Sequence, residues 1–210
     1  KQINYQDLVL ASLLSSSELF GETNTDELDR LIAGFRKDYP SSKYLPELEE
    51  IFAEYQSLKP GSMMKDFYMN SIHDKAVKLS DYKGKLLYVD IWATWCGPCV
   101  EEFPFSKKLS KKYANQKDLA FIYVSLDSSR DKWLKYLKDH PSLSGIHGNQ
   151  PPVYGPPSEK TDSNDVMSLY KITGIPHYLL IGKDGRIISA NAPRPSQLVE
   201  GTYLDSLLKL

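Results

Sequence analysis

Two cysteines carry the most distinctive chemistry in this sequence. Cys96 and Cys99 are the only cysteines among 210 residues, and they stand two residues apart in Trp95-Cys96-Gly97-Pro98-Cys99. Two thiols at this spacing in the first turn of a helix can close a small disulfide ring with little backbone movement. Any disulfide within this chain is therefore the Cys96–Cys99 bridge.

The position of the dithiol predicts a different role for each sulfur. It follows an apolar stretch and opens a segment with helical periodicity, and the free amides and dipole of a helix N-terminus stabilise an anion. The pKa of the Cys96 thiol is therefore expected to lie below its ordinary value of about 8.5. We predict that Cys96 is the exposed nucleophile and that Cys99 is the buried resolving thiol.

Two alternatives use the same cysteines. A closed zinc site needs four ligands, and the nearest candidates, His140 and His147, lie about 40 residues away at a spacing unlike that of zinc fingers. A structural disulfide without redox function is the other alternative. Catalytic thiol–disulfide exchange is the favoured interpretation, and no metal site is expected.

Composition argues against several other functional classes. Hydrophobic residues make up 41% and charged residues 25% of the chain, as in ordinary globular proteins. The net charge of −1 gives no reason to expect nucleic acid or an anionic membrane surface as a partner. The most apolar stretch, residues 86–93, is far shorter than the roughly 20 residues of a membrane-spanning helix. Because the sequence starts at Lys1 without an apolar leader, we expect a targeting segment or an upstream domain to precede it.

The chain changes its pattern at Lys59-Pro60-Gly61. Apolar residues recur at helical spacing before this point, so residues 1–59 are predicted to be a helical N-terminal segment, with helices within residues 3–58. This segment is either a separate module or a packed extension of the next domain. Residues 60–210 are predicted to form one α/β domain in which strands alternate with helices.

The predicted elements of the second domain are two buried strands, several helices, a loop and a hairpin with an Asp-Gly turn. The strands are residues 86–91 and 119–124, the helices 98–113, 129–139, 165–171 and 198–210, the irregular loop 140–164, and the hairpin 178–189.

Several motifs resemble those of a known family. Residues 89–99 resemble the active-site segment of thioredoxins, and Gly174-Ile175-Pro176 resembles their cis-proline loop. Residues 61–67, 79–85 and 102–104 resemble motifs of the TlpA/ResA-like branch of exported thiol–disulfide oxidoreductases, which is related to the AhpC/TSA superfamily. The resemblance covers about residues 60–210.

The resemblance implies a thioredoxin-like fold, in which a central mixed β-sheet is flanked by helices. It also implies roles for two acids. Asp90 matches the buried acid that moves protons to and from Cys99, and burial should raise its pKa. Glu102 either tunes the acidity of the thiols or lies on a solvated helix face.

Other residues are implied in client binding. Pro176 matches a proline that is cis in this fold, beside which the backbone of Ile175 pairs with an extended client. Trp95, Gly97 and Pro98 surround the cysteines and complete the expected substrate surface.

The function implied is reduction of protein disulfides in the cell envelope or periplasm, with membrane anchoring through a segment before Lys1. No cofactor is expected beyond the redox-active disulfide Cys96–Cys99. The partners are protein clients and an unidentified electron donor, and we expect a monomer that binds no nucleic acid.

The alternative function is that of a client-binding adaptor in which the dithiol is incidental. Peroxidase activity is disfavoured, because the proline and threonine that precede a peroxidatic cysteine are not at the required positions.

Overall fold

The computed structural model describes residues 25–141, 143–151 and 164–209. The chain divides into two compact units, with the division between Lys59 and Pro60. The first predicted helical stretch, residues 3–20, lies outside the described residues. That residues 1–59 act as a separate domain stays a prediction.

In its described part, from residue 25 onward, the first unit has two helices, α1 (Thr25–Asp38) and α2 (Leu45–Gln56). Three apolar side chains, Ile32, Phe35 and Leu48, are buried between them. Pro46 stands in the first turn of α2, where its missing amide hydrogen costs nothing. The helical periodicity seen in the sequence therefore corresponds to one apolar face on each helix.

The second unit is built on a mixed β-sheet. Its strands among the described residues are β1 (Tyr68–Ser71), β2 (Ala76–Lys78), β3 (Leu86–Trp92), β4 (Leu119–Ser125), β5 (Ile146–Asn149), β6 (His177–Ile181) and β7 (Ile187–Ser189). They are ordered β2-β1-β5-β4-β3-β6-β7. The strand pairs β3–β4 and β4–β5 are parallel, whereas β6 runs antiparallel to β3.

Strands β3 and β4 form the middle of this sheet, and all seven residues of each are buried. Burial on both faces is what a nearly continuous apolar run predicts. Asp90 is the one charged residue in either strand, so the sheet carries an ionisable group at its centre.

The helices of the second unit lie between and after these strands. They are a 3-10 helix at Leu79–Tyr82, α3 (Gly97–Lys112), α4 (Arg130–Asp139), α5 (Val166–Leu169), α6 (Pro195–Leu198) and α7 (Tyr203–Leu208). The predicted helices 98–113 and 129–139 correspond to α3 and α4. The Ser129 hydroxyl caps α4 by accepting a hydrogen bond from the Lys132 amide. The α/β class and the hairpin formed by β6 and β7 are confirmed.

Two predicted segments differ from the structure. The predicted loop 140–164 contains strand β5, whose sequence Ile146-His147-Gly148-Asn149 has no strand signal of its own and is held by pairing with β1 and β4. The predicted helix 198–210 is shorter in the structure. It is α7, which begins at Tyr203, because residues 199–202, which contain Gly201, are not helical, and Leu198 is the last residue of α6.

Gly148 provides a test of this arrangement. A Cβ at this position would overlap the sulfur of Met69 on the neighbouring strand β1 and lie 2.8 Å from the Cβ of that residue. Gly148→Ala should therefore lower the free energy of unfolding by about 1–3 kcal/mol, since overpacking forces backbone or rotamer shifts. Urea denaturation measures this change.

Gly174→Ala is the matched control, because a Cβ at Gly174 would meet nothing within 4 Å. Met69→Ala in the Gly148→Ala background should recover part of the loss that Gly148→Ala causes. Equal stability of Gly148→Ala and wild type would contradict the close approach of β1 and β5.

Candidate functional site

The two cysteines lie where strand β3 passes into helix α3. Cys96 is the N-cap residue of α3, and its sulfur accepts a hydrogen bond from the Cys99 amide at 3.2 Å. The two sulfurs form a disulfide, and Pro98 stands in the first turn of the helix. The strand-to-helix junction therefore places Cys96 where a helix N-terminus stabilises negative charge.

The exposure of the two cysteines corrects one expectation. Cys99 is buried as predicted, with 1% of its surface exposed, but Cys96 is also mostly covered, at 5%. The surface around them is formed by Trp95, which is 64% exposed, and by the exposed residues Gly97 and Pro98. Cys96 is covered because its sulfur turns inward to cap the helix and to bond Cys99. A molecule that reaches this sulfur has to pass the exposed residues Trp95, Gly97 and Pro98, which we call the rim of the site.

Asp90 lies in the middle of β3 and is 1% exposed. Neither of its carboxylate oxygens has a hydrogen-bond partner among the described residues. Burial raises the pKa of this carboxyl well above its ordinary value, and the negative charge of Glu102 raises it further. The structure thus holds Asp90 in an environment that favours its neutral form.

Glu102 is neither solvated nor free to turn toward the solvent, so the alternative of a solvated helix face is wrong. It lies in α3, is 8% exposed, and accepts hydrogen bonds from the backbone amide and the hydroxyl of Ser196, both at 2.9 Å. These bonds join α3 to the first residues of α6. Glu102 therefore holds the dithiol helix in place and acts on Asp90 through its charge.

The loop before β6 reaches the same edge of the sheet as the dithiol. The Ile175–Pro176 peptide bond is cis, as the resemblance implied. His177 pairs with Ile91 of β3, so Ile175 and Pro176 stand beside the carboxyl end of that strand. The Nε2 atom of His177 lies 2.6 Å from the Ala190 carbonyl oxygen, and burial lowers the pKa of this imidazole.

A buried polar cluster beside the cysteines was not foreseen from the sequence. Asp127 accepts hydrogen bonds from the Thr94 amide at 2.9 Å, the Thr94 hydroxyl at 2.6 Å and the Ser125 hydroxyl at 2.7 Å. The Asn149 side chain donates to the carbonyl oxygens of Ser125 and Asp127. This cluster joins the carboxyl ends of β3, β4 and β5. Its one signal in the sequence is an acid two residues after the end of a buried strand.

The two histidines considered as zinc ligands have backbone partners. His140 Nδ1 lies 2.9 Å from the Tyr136 carbonyl oxygen, and His147 Nε2 lies 2.9 Å from that of Leu143. Within residues 25–141, 143–151 and 164–209, no three His, Cys, Asp or Glu side chains are grouped as metal ligands would be. No helix in the described part of the chain combines the length and apolar character needed to span a membrane.

Comparison with known proteins gives matches to thioredoxin-like proteins and to thiol–disulfide oxidoreductases. A family model described as thioredoxin-like matches residues 84–187. The thiol-disulfide oxidoreductase ResA of Bacillus subtilis is 27% identical over 158 residues, which are 75% of this chain and 76% of ResA.

Two solved structures share the fold over nearly their whole length. One, from Bacteroides vulgatus and assigned as a thiol-disulfide oxidoreductase, is 38% identical with a TM-score of 0.61, and the match covers 72% of this chain and 98% of that one. The other, from Chlorobium tepidum and assigned as the thiol:disulfide interchange protein DsbE, is 27% identical with a TM-score of 0.57, over 72% of this chain and 99% of that one.

The burial of Asp90 predicts how stability depends on pH. Between the ordinary pKa of 3.8 and the raised value in the folded state, the folded protein binds more protons than the unfolded chain, so wild-type stability falls as pH rises. Asp90→Asn cannot ionise, so its stability should not fall in this way as pH rises. The variant should gain stability relative to wild type by up to about 1.4 kcal/mol per pH unit within this interval.

Urea denaturation of the oxidised protein, in which the two sulfurs do not titrate, measures this difference from about pH 4 to about pH 9. Asp139→Asn is a control of opposite sign, because a hydrogen bond from Lys135 lowers the pKa of the exposed Asp139 carboxyl. It should lose stability relative to wild type at pH values up to about 4, and its difference from wild type should then stay nearly constant over the range in which that of Asp90→Asn changes. A constant difference between Asp90→Asn and wild type at all pH values would contradict the raised pKa of Asp90.

Proposed function

Since this chain belongs to the ResA/TlpA-like thiol–disulfide oxidoreductases of the thioredoxin superfamily, we propose that it reduces disulfide bonds of client proteins in the cell envelope through Cys96 and Cys99. The observation that carries this proposal is the position of the Cys96 sulfur. It caps helix α3 and accepts the Cys99 amide hydrogen, at the carboxyl end of a central strand.

The reaction begins with the reduced dithiol. The Cys96 thiolate attacks one sulfur of the client disulfide, the client S–S bond breaks, and the departing client sulfur takes the electron pair and then a proton. The thiolate of Cys99 next attacks the Cys96 sulfur of this mixed disulfide. The second client thiol leaves, and the Cys96–Cys99 disulfide forms. Two electrons have then passed from the protein to the client.

Proton transfer at the second step falls to Asp90. Cys99 is buried, so its proton has to move to a nearby base before its sulfur can attack. A carboxyl whose pKa is raised by burial accepts a proton close to neutral pH more readily than an exposed one does. Asp90 therefore takes the Cys99 proton and returns it when the dithiol is regenerated by an electron donor.

The client approaches through the rim formed by Trp95, Gly97 and Pro98. Because Cys96 is only 5% exposed, a client disulfide has to be presented on an extended or mobile segment that can enter this rim. The backbone of Ile175, beside Pro176 at the same edge of the sheet, supplies polar groups for such a segment. Extended protein segments suit this geometry better than bulky folded surfaces do.

The direction of transfer and the compartment rest on resemblance. The Cys-Gly-Pro-Cys dithiol resembles that of reducing thioredoxins, whose potential is about −270 mV, more than that of oxidants near −120 mV. The names of the matched relatives, ResA and DsbE, support exchange between thiols and disulfides. We propose a monomer in the cell envelope that obtains its electrons from a separate donor.

Single cysteine variants test the order of the two attacks. Cys99→Ser should accumulate mixed disulfides with clients, because no internal thiol remains to release them, and Cys96→Ser should accumulate none. Cys96→Ser should also lose reduction of an exposed protein disulfide. Mass spectrometry of adducts under non-reducing conditions, with the double serine variant as a blank, measures the first result.

Equal disulfide reduction by wild type and Cys96→Ser would exclude the exchange mechanism. Adducts on Cys96→Ser but none on Cys99→Ser would reverse the roles of the two sulfurs.

The redox potential tests the direction. We expect a value between about −200 and −290 mV, within the range of reducing thioredoxin-type proteins and glutaredoxins. Equilibration with defined ratios of reduced and oxidised dithiothreitol, read by alkylation of free thiols, gives this potential. A value near −120 mV would make the oxidised form about 7 kcal/mol less stable relative to −270 mV, and the protein would then be an oxidant.

A further inference from the structure

Two tyrosines flank Asp90 in the central sheet. In the register of the strands, Asp90 is paired with Tyr123 of β4 on one side and with Tyr178 of β6 on the other. Residues paired across neighbouring strands place their side chains on the same face, and the strands lie about 4.8 Å apart. The carboxyl therefore has a phenol on each side.

These three groups share one unusual property. The hydroxyl groups of Tyr123 and Tyr178, like both oxygens of Asp90, are buried and have no hydrogen-bond partner among the described residues. Buried polar groups in proteins are almost always hydrogen-bonded to protein or to ordered water. A single bridging water, which has about three partners when buried, would satisfy two donors and one acceptor in such a cross-strand row.

Both phenol rings are held in position by a neighbouring ring. The Tyr123 ring stacks on His147, with centroids 4.9 Å apart and planes at 12°. Gly145 also approaches the Tyr123 ring so closely that a Cβ there would lie 2.7 Å from it. The Tyr178 ring stacks on Tyr88 at 5.6 Å and 21°. Neither hydroxyl can move far from the row without breaking these contacts.

The charged groups near Asp90 do not offer it a counter-ion. Burial and Glu102 of α3 both raise the pKa of Asp90. Burial and the charge of Asp90 raise the pKa of both Tyr123 and Tyr178, and the charge of Glu102 raises that of Tyr178 further. Arg194, which precedes α6, opposes this rise at Tyr178 without cancelling it. His147 faces Tyr123, and burial lowers the pKa of its imidazole. An ionised Asp90 therefore depends on neutral donors.

We infer that Tyr123 and Tyr178 are positioning residues that hold the Asp90 carboxyl through a shared bridging water and stabilise its ionised form. No covalent bond changes in this role, because each phenol keeps its proton and only donates a hydrogen bond. If the proposed function holds, the two phenols make Asp90 able to accept the Cys99 proton and return it. The assignment of that proton transfer is the part of this inference that rests on the proposed function.

The test is the titration of Asp90 in the oxidised protein, followed by carbon-13 NMR of its side-chain carboxyl, with Asp90→Asn to assign the signal. Tyr123→Phe and Tyr178→Phe each remove one hydroxyl and keep the ring. Each variant should move the midpoint of the Asp90 titration upward by about one pH unit, because a hydrogen bond to a charged group is lost. The double variant should move it further.

Tyr88→Phe is the matched control. Tyr88 lies on the same face of β3 and stacks on Tyr178, but its hydroxyl already donates to the Pro193 carbonyl oxygen at 2.8 Å. This variant should leave the Asp90 midpoint unchanged. A midpoint that is unchanged, or lowered, in both Tyr123→Phe and Tyr178→Phe would overturn the inference.

A measurement on the unaltered protein covers the case in which a phenylalanine variant does not fold. The infrared band of the protonated Asp90 carboxyl, isolated as the difference from Asp90→Asn, should show the lower frequency of a hydrogen-bonded group. A band at the frequency of a free carboxyl would overturn the inference.

Activity separates this inference from the proposed function. If Cys96→Ser and wild type reduce protein disulfides equally, the proposed function fails, while a shifted Asp90 midpoint still supports the positioning role. If the catalytic prediction holds and neither phenol moves the midpoint, the positioning role alone fails.

Discussion

The site depends on one constraint, which is that strand β3 has to end within a few residues of the start of helix α3. Because β3 is the buried central strand and α3 begins at Gly97, the intervening turn places the Cys96 sulfur at the helix N-terminus. A sulfur at this position can accept the Cys99 amide hydrogen, and the helix N-terminus stabilises negative charge on it. The Asp127 carboxylate fixes the turn itself by accepting two hydrogen bonds from Thr94. If this turn rotated, the Cys96 sulfur would no longer cap the N-terminus of α3.

Desolvation is the second physical effect on which the site depends. The same strand that delivers the cysteines carries Asp90 at its centre, where burial and Glu102 both oppose the ionised carboxylate. An acid in such a place lowers stability at neutral pH, and proteins retain groups of this kind where chemistry needs a proton acceptor. The two acids of the site differ in their hydrogen bonds. Glu102 is fully engaged by Ser196, whereas Asp90 has no protein partner among the described residues.

The sequence was sufficient to predict the parts of the fold that depend on neighbouring residues. The apolar runs of β3 and β4 and the Asp-Gly turn at Asp184 have local signals. Strand β5 has none, because the pairing that makes Ile146 to Asn149 a strand comes from β1 and β4. The burial of Glu102 was missed for the same reason, since its partner Ser196 is 94 residues away. The Asp127 cluster likewise unites three strands that local patterns describe one at a time.

The bonds between Glu102 and Ser196 have a consequence for the order in which the protein matures during synthesis. Chains emerge from the ribosome from the N-terminus onward, so Cys96 and Cys99 emerge long before Ser196 and before β6, the strand that flanks β3 on one side. A nascent chain that has passed the dithiol but not β6 holds two thiols on a helix that lacks its bonds to Ser196, and one side of its central strand is unpaired. The bonds that join the dithiol helix to α6 therefore form only after Ser196 has been added to the chain.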